Sequence, residues 1–279
     1  VYHTLIQDPE GRIYIGGGLN MLAHTPLTQE FPGGFRAIEE QLWKDIAAPY
    51  KDYAGGHLYR YDPVKGDADA RLPGEPCPLE DLGIPAPRNT LYAMALSPQE
   101  RTIYAVTYPD ARLVACPLAR GKARDCGQLL SRRIFSGPER TWRSVPRALY
   151  CAADGRIYTS GDDGLIVYYD PATRKIVPTE MRVPGEYWEA WNYYGYPVVE
   201  QFVESKGRLL AGSSDGFLFE IDLKRQSPVN LGNPRVSRRT RAMAAGPDDK
   251  LYMISRQLQA PCKLYSSHLT GRKRSADLR

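Results

Sequence analysis

The sequence predicts an all-β chain, a β-propeller of four-stranded antiparallel blades with about five blades present. Three observations predict it. One phrase of sequence returns five times along the chain. Its turns are built on Asp-Gly and Gly-rich pairs, which favour tight two-residue hairpins. The composition, with 19 Tyr, 25 Gly and 23 Pro in 279 residues and no long apolar run, suits many short strands and turns rather than helices.

The clearest unit begins at Ala148 and ends at Pro171. It reads as an apolar strand, a turn at Asp154-Gly155, a strand Arg156 to Gly161, a second Asp-Gly turn at Asp163-Gly164, and a third strand ending in Asp170-Pro171. The other units follow in chain order. Tyr2 to Gln7 is a first strand, Asp8 to Gly18 ("DPEGRIYIGGG") carries the second, and Gly55 to Pro63 ("GGHLYRYDP") the third. Leu91 to Pro109 ("LYAMALSPQERTIYAVTYP") and then "DARLVACPL" from Asp110 give three strands of the next unit. Val199 to Leu223 contains "SKGRLLAGSSDGFLFEIDL", and Arg241 to Ser255 reads "RAMAAGPDDKLYMIS" with "CKLYSS" behind it. Fourth strands recur as "LEDLGIP" at Leu79, "ARDCGQL" at Ala123, "PVNLGNP" at Pro228 and "SADLR" at Ser275. The blades fall at roughly 1–85, 86–140, 141–190, 191–235 and 236–279, one propeller domain with an insertion at 19–54 in the first blade. Equivalent second strands stand about 40 to 55 residues apart except across that insertion, the period of propeller blades and longer than that of the helical ankyrin and TPR repeats.

The blade "DGRIYTSGDDGLIVYYDPATRK" from Asp154 resembles those of the streptogramin-lyase, SMP-30 and quinoprotein-like group of propellers, within the wider run of WD40- and YVTN-like blades. The resemblance covers almost the whole chain. It implies the fold and leaves function open, because such blades serve lyases, lactonases, dehydrogenases and binding scaffolds alike. Members usually have six to eight blades, so the resemblance leads us to expect a fragment of a larger ring, lacking one to three blades.

Blade geometry sorts the loops. If A to D are the strands of a blade, the B–C loops and the D–A links between blades emerge on one face, and the A–B and C–D turns on the other. The first set contains every unusual segment. The insertion carries His24, an amphipathic stretch from Phe35 to Ile46, and Tyr53; His57 opens the third strand behind it. The link "PGEYWEAWNYYGYP" carries Tyr187, Trp188, Trp191 and Tyr193. Other links bring Arg88, Arg147, Arg239 and Arg241, and another B–C loop brings Tyr108. The opposite face has plain turns such as Asp154-Gly155 and Lys206-Gly207. Aromatic rings stack on sugars and arginine forks grip carboxylate or sulfate, so the sequence predicts an anionic or carbohydrate ligand bound by Tyr187, Trp188, Trp191, Tyr193, Arg88, Arg239 and Arg241.

An alternative is β-elimination on a uronic-acid polysaccharide, by analogy with propeller-type polysaccharide lyases. It needs a cation on the carboxylate, a base for the adjacent proton and an acid for the leaving oxygen. Arg147 or Arg239 would neutralise, His57 or His24 would act as base, and Tyr53 or Tyr108 as acid. Either glycan reading would place the chain in the periplasm or outside the cell. A lactonase or quinone-dependent dehydrogenase ranks third, since Asp162, Asp163 and Asp215 read more simply as turn residues.

Several chemistries lack a signature. There is no P-loop, Gly-x-Ser-x-Gly elbow, His-Glu-x-x-His or dinucleotide fingerprint, and no cofactor is indicated. The four His and five Cys are not at metal-binding spacing, although Cys116 and Cys126 could face each other across adjacent strands. The net charge of +5 is mild. The basic clusters at Arg238-Arg239 and Arg272 to Arg274 are too short to argue for nucleic acid, and no stretch approaches the ~20 apolar residues of a membrane helix.

Overall fold

The computed structural model describes residues 4–18, 52–65, 78–108, 110–119, 121–131, 145–185, 197–233, 240–255 and 263–268. Within them nineteen strands form five antiparallel sheets. Sheet 1 is β1 (Leu5–Gln7), β2 (Ile13–Gly16), β3 (Leu58–Tyr61) and β4 (Leu79–Asp81). Sheet 2 is β5 (Thr90–Ser97), β6 (Thr102–Tyr108), β7 (Arg112–Pro117) and β8 (Arg124–Gln128). Sheet 3 is β9 (Tyr150–Cys151), β10 (Ile157–Ser160), β11 (Leu165–Asp170) and β12 (Lys175–Arg182). Sheet 4 is β13 (Val199–Ser205), β14 (Arg208–Ser213), β15 (Leu218–Asp222) and β16 (Ser227–Gly232). Sheet 5 is β17 (Thr240–Ala245), β18 (Lys250–Ser255) and β19 (Lys263–His268). In each sheet the strands pair in chain order, the meander of a propeller blade. The expected fourth strand of the last blade, at Ser275, lies outside the described residues.

Strand alternation gives every sheet two faces, and a core forms wherever two sheets meet. Ile6, Tyr14 and Leu58 of sheet 1 pack against Leu91, Met94, Ile103 and Val114 of sheet 2. The opposite face of sheet 2, with Tyr104, Val106, Tyr108 and Leu113, packs on Ile157, Val167 and Tyr169 of sheet 3. Tyr158, Ile166 and Met181 of sheet 3 meet Leu209, Phe219 and Ile221 of sheet 4. Leu210 of sheet 4 meets Met243, Leu251 and Met253 of sheet 5. Each such aliphatic or aromatic side chain contributes roughly 1.5–3 kcal/mol by leaving water. Cys116 belongs to the core between sheets 1 and 2 and Cys126 to that between sheets 2 and 3. The two thiols therefore point to opposite faces of sheet 2 rather than at each other, and both are free. Burial pushes the Cys116 thiol up to about 12.

A repeated detail ties strand B to its turn. The second residue of β2, β6 and β18's apolar pair is Tyr14, Tyr104 or Tyr252, and each hydroxyl donates to an acid in the preceding A–B turn, Asp8, Glu100 or Asp248 respectively. These turns form the plain face, where neighbouring blades are joined by ion pairs: Arg101 to Glu10 at 2.9 Å and Lys206 to Asp249. Gly155 and Gly207 turn there with φ of +86° and +73°, and a Cβ at either would have no neighbouring atom within 4 Å.

Candidate ligand-binding face

Hydrogen bonds place the B–C loops and D–A links together at one rim. Between β2 and β3 the chain is closed by Gly17 N–H donating to His57 O at 2.7 Å. That loop is then clasped to the link into sheet 2: Gly56 N–H donates to Asn89 O at 2.7 Å and Arg88 N–H to Ala54 O at 2.8 Å. Asn89 reaches onward to the B–C loop of sheet 2, its amide donating to Asp110 Oδ2 at 3.0 Å and its carbonyl accepting from Asp110 N–H at 3.0 Å. The same clasp recurs as Ser131 N–H to Asp162 Oδ2 at 2.7 Å and as Ser214 N–H to Val198 O at 2.8 Å. In the link leaving sheet 4, Asn233 Nδ2 donates to Asp215 O at 3.1 Å. Asp110, Asp162 and Asp215 thus serve the scaffold. Among the described residues no group of three His, Cys, Asp or Glu is placed to hold a metal ion.

The predicted site residues fall in several places. His24, Tyr187, Trp188, Trp191, Tyr193 and Arg239 lie outside the described residues. Arg241 lies in β17 at a register shift between Thr240 and Ala242; its side chain is likewise outside the description. Arg88 is exposed at the rim with φ of +59°, a left-handed backbone rarely adopted by a side-chain-bearing residue. Tyr53 is half-buried beside it in the fold, its hydroxyl 3.3 Å from Thr90 Oγ1.

Arg147, Tyr108 and His57 are not brought together. Arg147 is 1% exposed and ion-paired with Glu200, also 1% exposed, between sheets 3 and 4. A buried guanidinium committed to a buried carboxylate is not positioned to neutralise an incoming uronate; separating the pair would strand a charge in the interior. Tyr108 is 5% exposed within the core between sheets 2 and 3, its ring stacked on Tyr92 at 5.4 Å. As a leaving-group acid it would have to work from inside that core.

His57 is more accessible, with 38% of its side chain exposed, and its Nδ1 lies 2.8 Å from Asp81 Oδ2. An ionised carboxylate only accepts, so Nδ1 carries the proton. The His57 hydrogen bond, with that of Gly83 N–H, holds the Asp81 carboxyl below the ordinary carboxylate range. The ring stacks on Tyr59 at 5.8 Å, at an interplanar angle of 14°. This pair has a counterpart in the next blade. Tyr59 is opposite Asp81 in sheet 1 as Val114 is opposite Asp125 in sheet 2, which makes Arg112 the match of His57. Arg112 Nε donates to Asp125 Oδ2 at 2.8 Å. In both blades the acid also accepts from the glycine two residues on, Gly83 at 2.8 Å and Gly127 at 2.9 Å. His57–Asp81 is therefore one instance of a donor–carboxylate pin joining the top of strand C to strand D.

Sequence reasoning missed Asp81, Glu200 and Asn89. The first had a signal, because Asp81-x-Gly83, Asp125-x-Gly127 and Asn230-x-Gly232 repeat in the fourth strands. Glu200 had none: its partner is distant in the chain and the residue sits at a register shift between Val199 and Gln201. A cavity of about 1060 Å³ opens between β4 and the β7–β8 turn, lined by Leu82, Ile84, Pro117 and Leu118 with Arg60, Glu80 and Lys122. It contains none of the predicted site residues.

Sheets of this order, packed face to face with loops gathered at one rim, define a β-propeller. No family model matches the chain, and no curated protein matches it in sequence. Among solved structures it is similar to virginiamycin B lyase from Staphylococcus aureus, with a TM-score of 0.53 and 11% identity over 94% of this chain and 68% of that one. It also matches a chain of the Mitotic Checkpoint Complex, with a TM-score of 0.44 and 11% identity over 68% of this chain and 50% of that one. The first likeness bears out the blade resemblance at the level of fold.

Proposed function

We propose that the chain is a binding propeller whose loop face takes an anionic or carbohydrate ligand. One observation carries this reading: the clasps that gather B–C loops and D–A links at a single rim. The described residues that flank 19–51, 132–144 and 186–196 lie in the loops and links of that rim, and those three segments are rich in aromatics and arginines. A rigid scaffold carrying variable loops on one side is the usual architecture of a binding site. Elimination is the weaker reading, because Arg147 and Tyr108 are committed to separate cores and His57 to a structural pin.

All four tryptophans, Trp43, Trp142, Trp188 and Trp191, belong to those three segments. Intrinsic tryptophan emission therefore reports on those three segments alone. Titration with uronic-acid polymers should shift that emission, and the Trp188→Ala/Trp191→Ala double variant should lose at least tenfold in affinity, on the order of 1.4 kcal/mol. Ultraviolet absorbance followed in the same samples should stay flat. An absorbance rise from unsaturated sugar would establish the lyase instead, and an unchanged emission with a flat trace would reject both ligands.

A further inference from the structure

The C–D turns of sheets 2, 3 and 4 are basic. They read "PLARGKAR" from Pro117, "DPATRK" from Asp170 and "DLKRQ" from Asp222. The first holds Arg120, Lys122 and Arg124, the second Arg174 and Lys175, and the third Lys224 and Arg225. Seven cations against two carboxylates, Asp170 and Asp222, leave +5, which equals the net charge of the whole chain. The rest of the sequence is therefore neutral on balance, and the excess charge belongs to these three turns.

Local folding leaves the cations largely unneutralised. Asp170 Oδ1 accepts from Ala172 N–H at 2.9 Å, and Asp222 Oδ1 accepts from Lys224 and Arg225 N–H, both at 3.0 Å. Each carboxylate thus closes its own turn. Lys122, Arg124, Arg174, Lys175, Lys224 and Arg225 are all exposed, and Arg120 lies outside the described residues. Among the described residues, only Arg225 of these six pairs with a carboxylate, Asp222 at 3.7 Å. The A–B turns of the same face differ, since Arg12, Arg101, Arg156, Lys206 and Lys250 are each ion-paired.

The meander brings A–B and C–D turns to one end of each sheet, with the C–D turns on the outer side beside the exposed fourth strands β8, β12 and β16. Sheets 2, 3 and 4 pack in that order, so the basic turns follow one another along the outer edge of the plain face. A Cβ on Gly127 of β8 would lie 3.1 Å from Ile176 of β12, which brings the first two fourth strands into contact. None of the three turns carries an aromatic residue. A sugar chain or a single-stranded nucleic acid would find no ring there to stack on. Projecting turn tips with unpaired ammonium and guanidinium groups suit a layer of anionic headgroups instead.

We propose that this edge rests on an anionic lipid bilayer, its lysines and arginines meeting the headgroup phosphates and carboxylates. The contact is peripheral and electrostatic, and it turns the loop rim away from the membrane. Each cation near such a surface contributes about fivefold in affinity, and the attraction fades within a Debye length.

The test is co-sedimentation of the 279-residue chain with vesicles of pure phosphatidylcholine, or of phosphatidylcholine with roughly one-third phosphatidylserine, at about 0.1 M salt. The chain should bind the anionic vesicles only, and binding should weaken as salt is added. Lys122→Gln/Lys175→Gln/Lys224→Gln should lose about a hundredfold in affinity, with unchanged circular dichroism. Arg272→Gln/Lys273→Gln/Arg274→Gln removes the same charge from the other basic run and should lose less than about fivefold. Absence of binding to the anionic vesicles, equal binding to pure phosphatidylcholine, or binding that survives the first triple substitution would each overturn the proposal. A sulfated polymer held by Lys122, Lys175 and Lys224 without any vesicle binding would overturn it too, and would give the edge to a soluble polyanion. The tryptophan titration reads other segments, so either result stands without the other.

Discussion

At Asp8 a carboxylate with no exposed side-chain surface closes the first A–B turn. It accepts from Arg12 Nε at 2.7 Å, from Arg12 N–H at 2.9 Å and from the Tyr14 hydroxyl at 3.3 Å. Burial works to raise its pKa, but the side-chain and backbone hydrogen bonds from Arg12 together outweigh burial and hold it below the ordinary value. A depressed carboxyl pKa stabilises the fold above the unfolded-state value of about 3.9, and that contribution is lost as pH falls through the lower folded-state value. Asp8→Asn should therefore cost about 1–3 kcal/mol at neutral pH. Denaturant unfolding repeated at falling pH should show the gap between variant and wild type closing on the acid side. A gap independent of pH would mean that the charge contributes nothing. The same scale explains what was legible in the candidate site. The Asp-Gly turns and loop faces follow from local chemistry, whereas the burial of Arg147 depends on Glu200 in another sheet, and no spacing in the sequence announces it.

Between elements, the rim depends on glycines that let backbones touch. A Cβ on Gly56 would lie 2.0 Å from Gly17 O, and one on Gly18 would lie 2.2 Å from the Thr90 side chain. Gly56→Ala therefore cannot keep the clasp between the β2–β3 loop and the link into sheet 2. A loss of roughly 2–3 kcal/mol is expected, at the upper end of ordinary single substitutions. Gly155→Ala, on the plain face, meets no atom and carries only the left-handed backbone penalty of about 1–2 kcal/mol. Thermal melting of the two variants side by side checks the order; a more damaging Gly155→Ala would refute the account of the clasp. Close approach of neighbouring chain is what the run Gly16 to Gly18 provides.

Across the whole molecule, stability is a sum over sheets and the contacts between neighbours. Among the described residues, sheets 2, 3 and 4 are packed on both faces, while sheets 1 and 5 each have one face packed. Amide exchange should follow: protection at Ile103–Val106 of β6 should exceed that at Ile13–Gly16 of β2 and Leu251–Ile254 of β18. Uniform protection across all five sheets would show instead that the molecule opens as one unit. This level was the most legible of all. The recurring phrase carries turns and strands at a fixed period, so the order of strands, three of the four expected fourth strands and the division of loops between faces could be read directly from the sequence. What could not be read is which side of each strand meets which neighbour, as the separation of Cys116 from Cys126 shows.

The open space around Gly155 and Gly207 gives the molecule a handle. An anchoring cysteine or a short epitope spliced into either turn would leave the opposite rim directed into solution. A sensor surface coated through those turns would display every copy in the same orientation, whatever analyte is then passed over it.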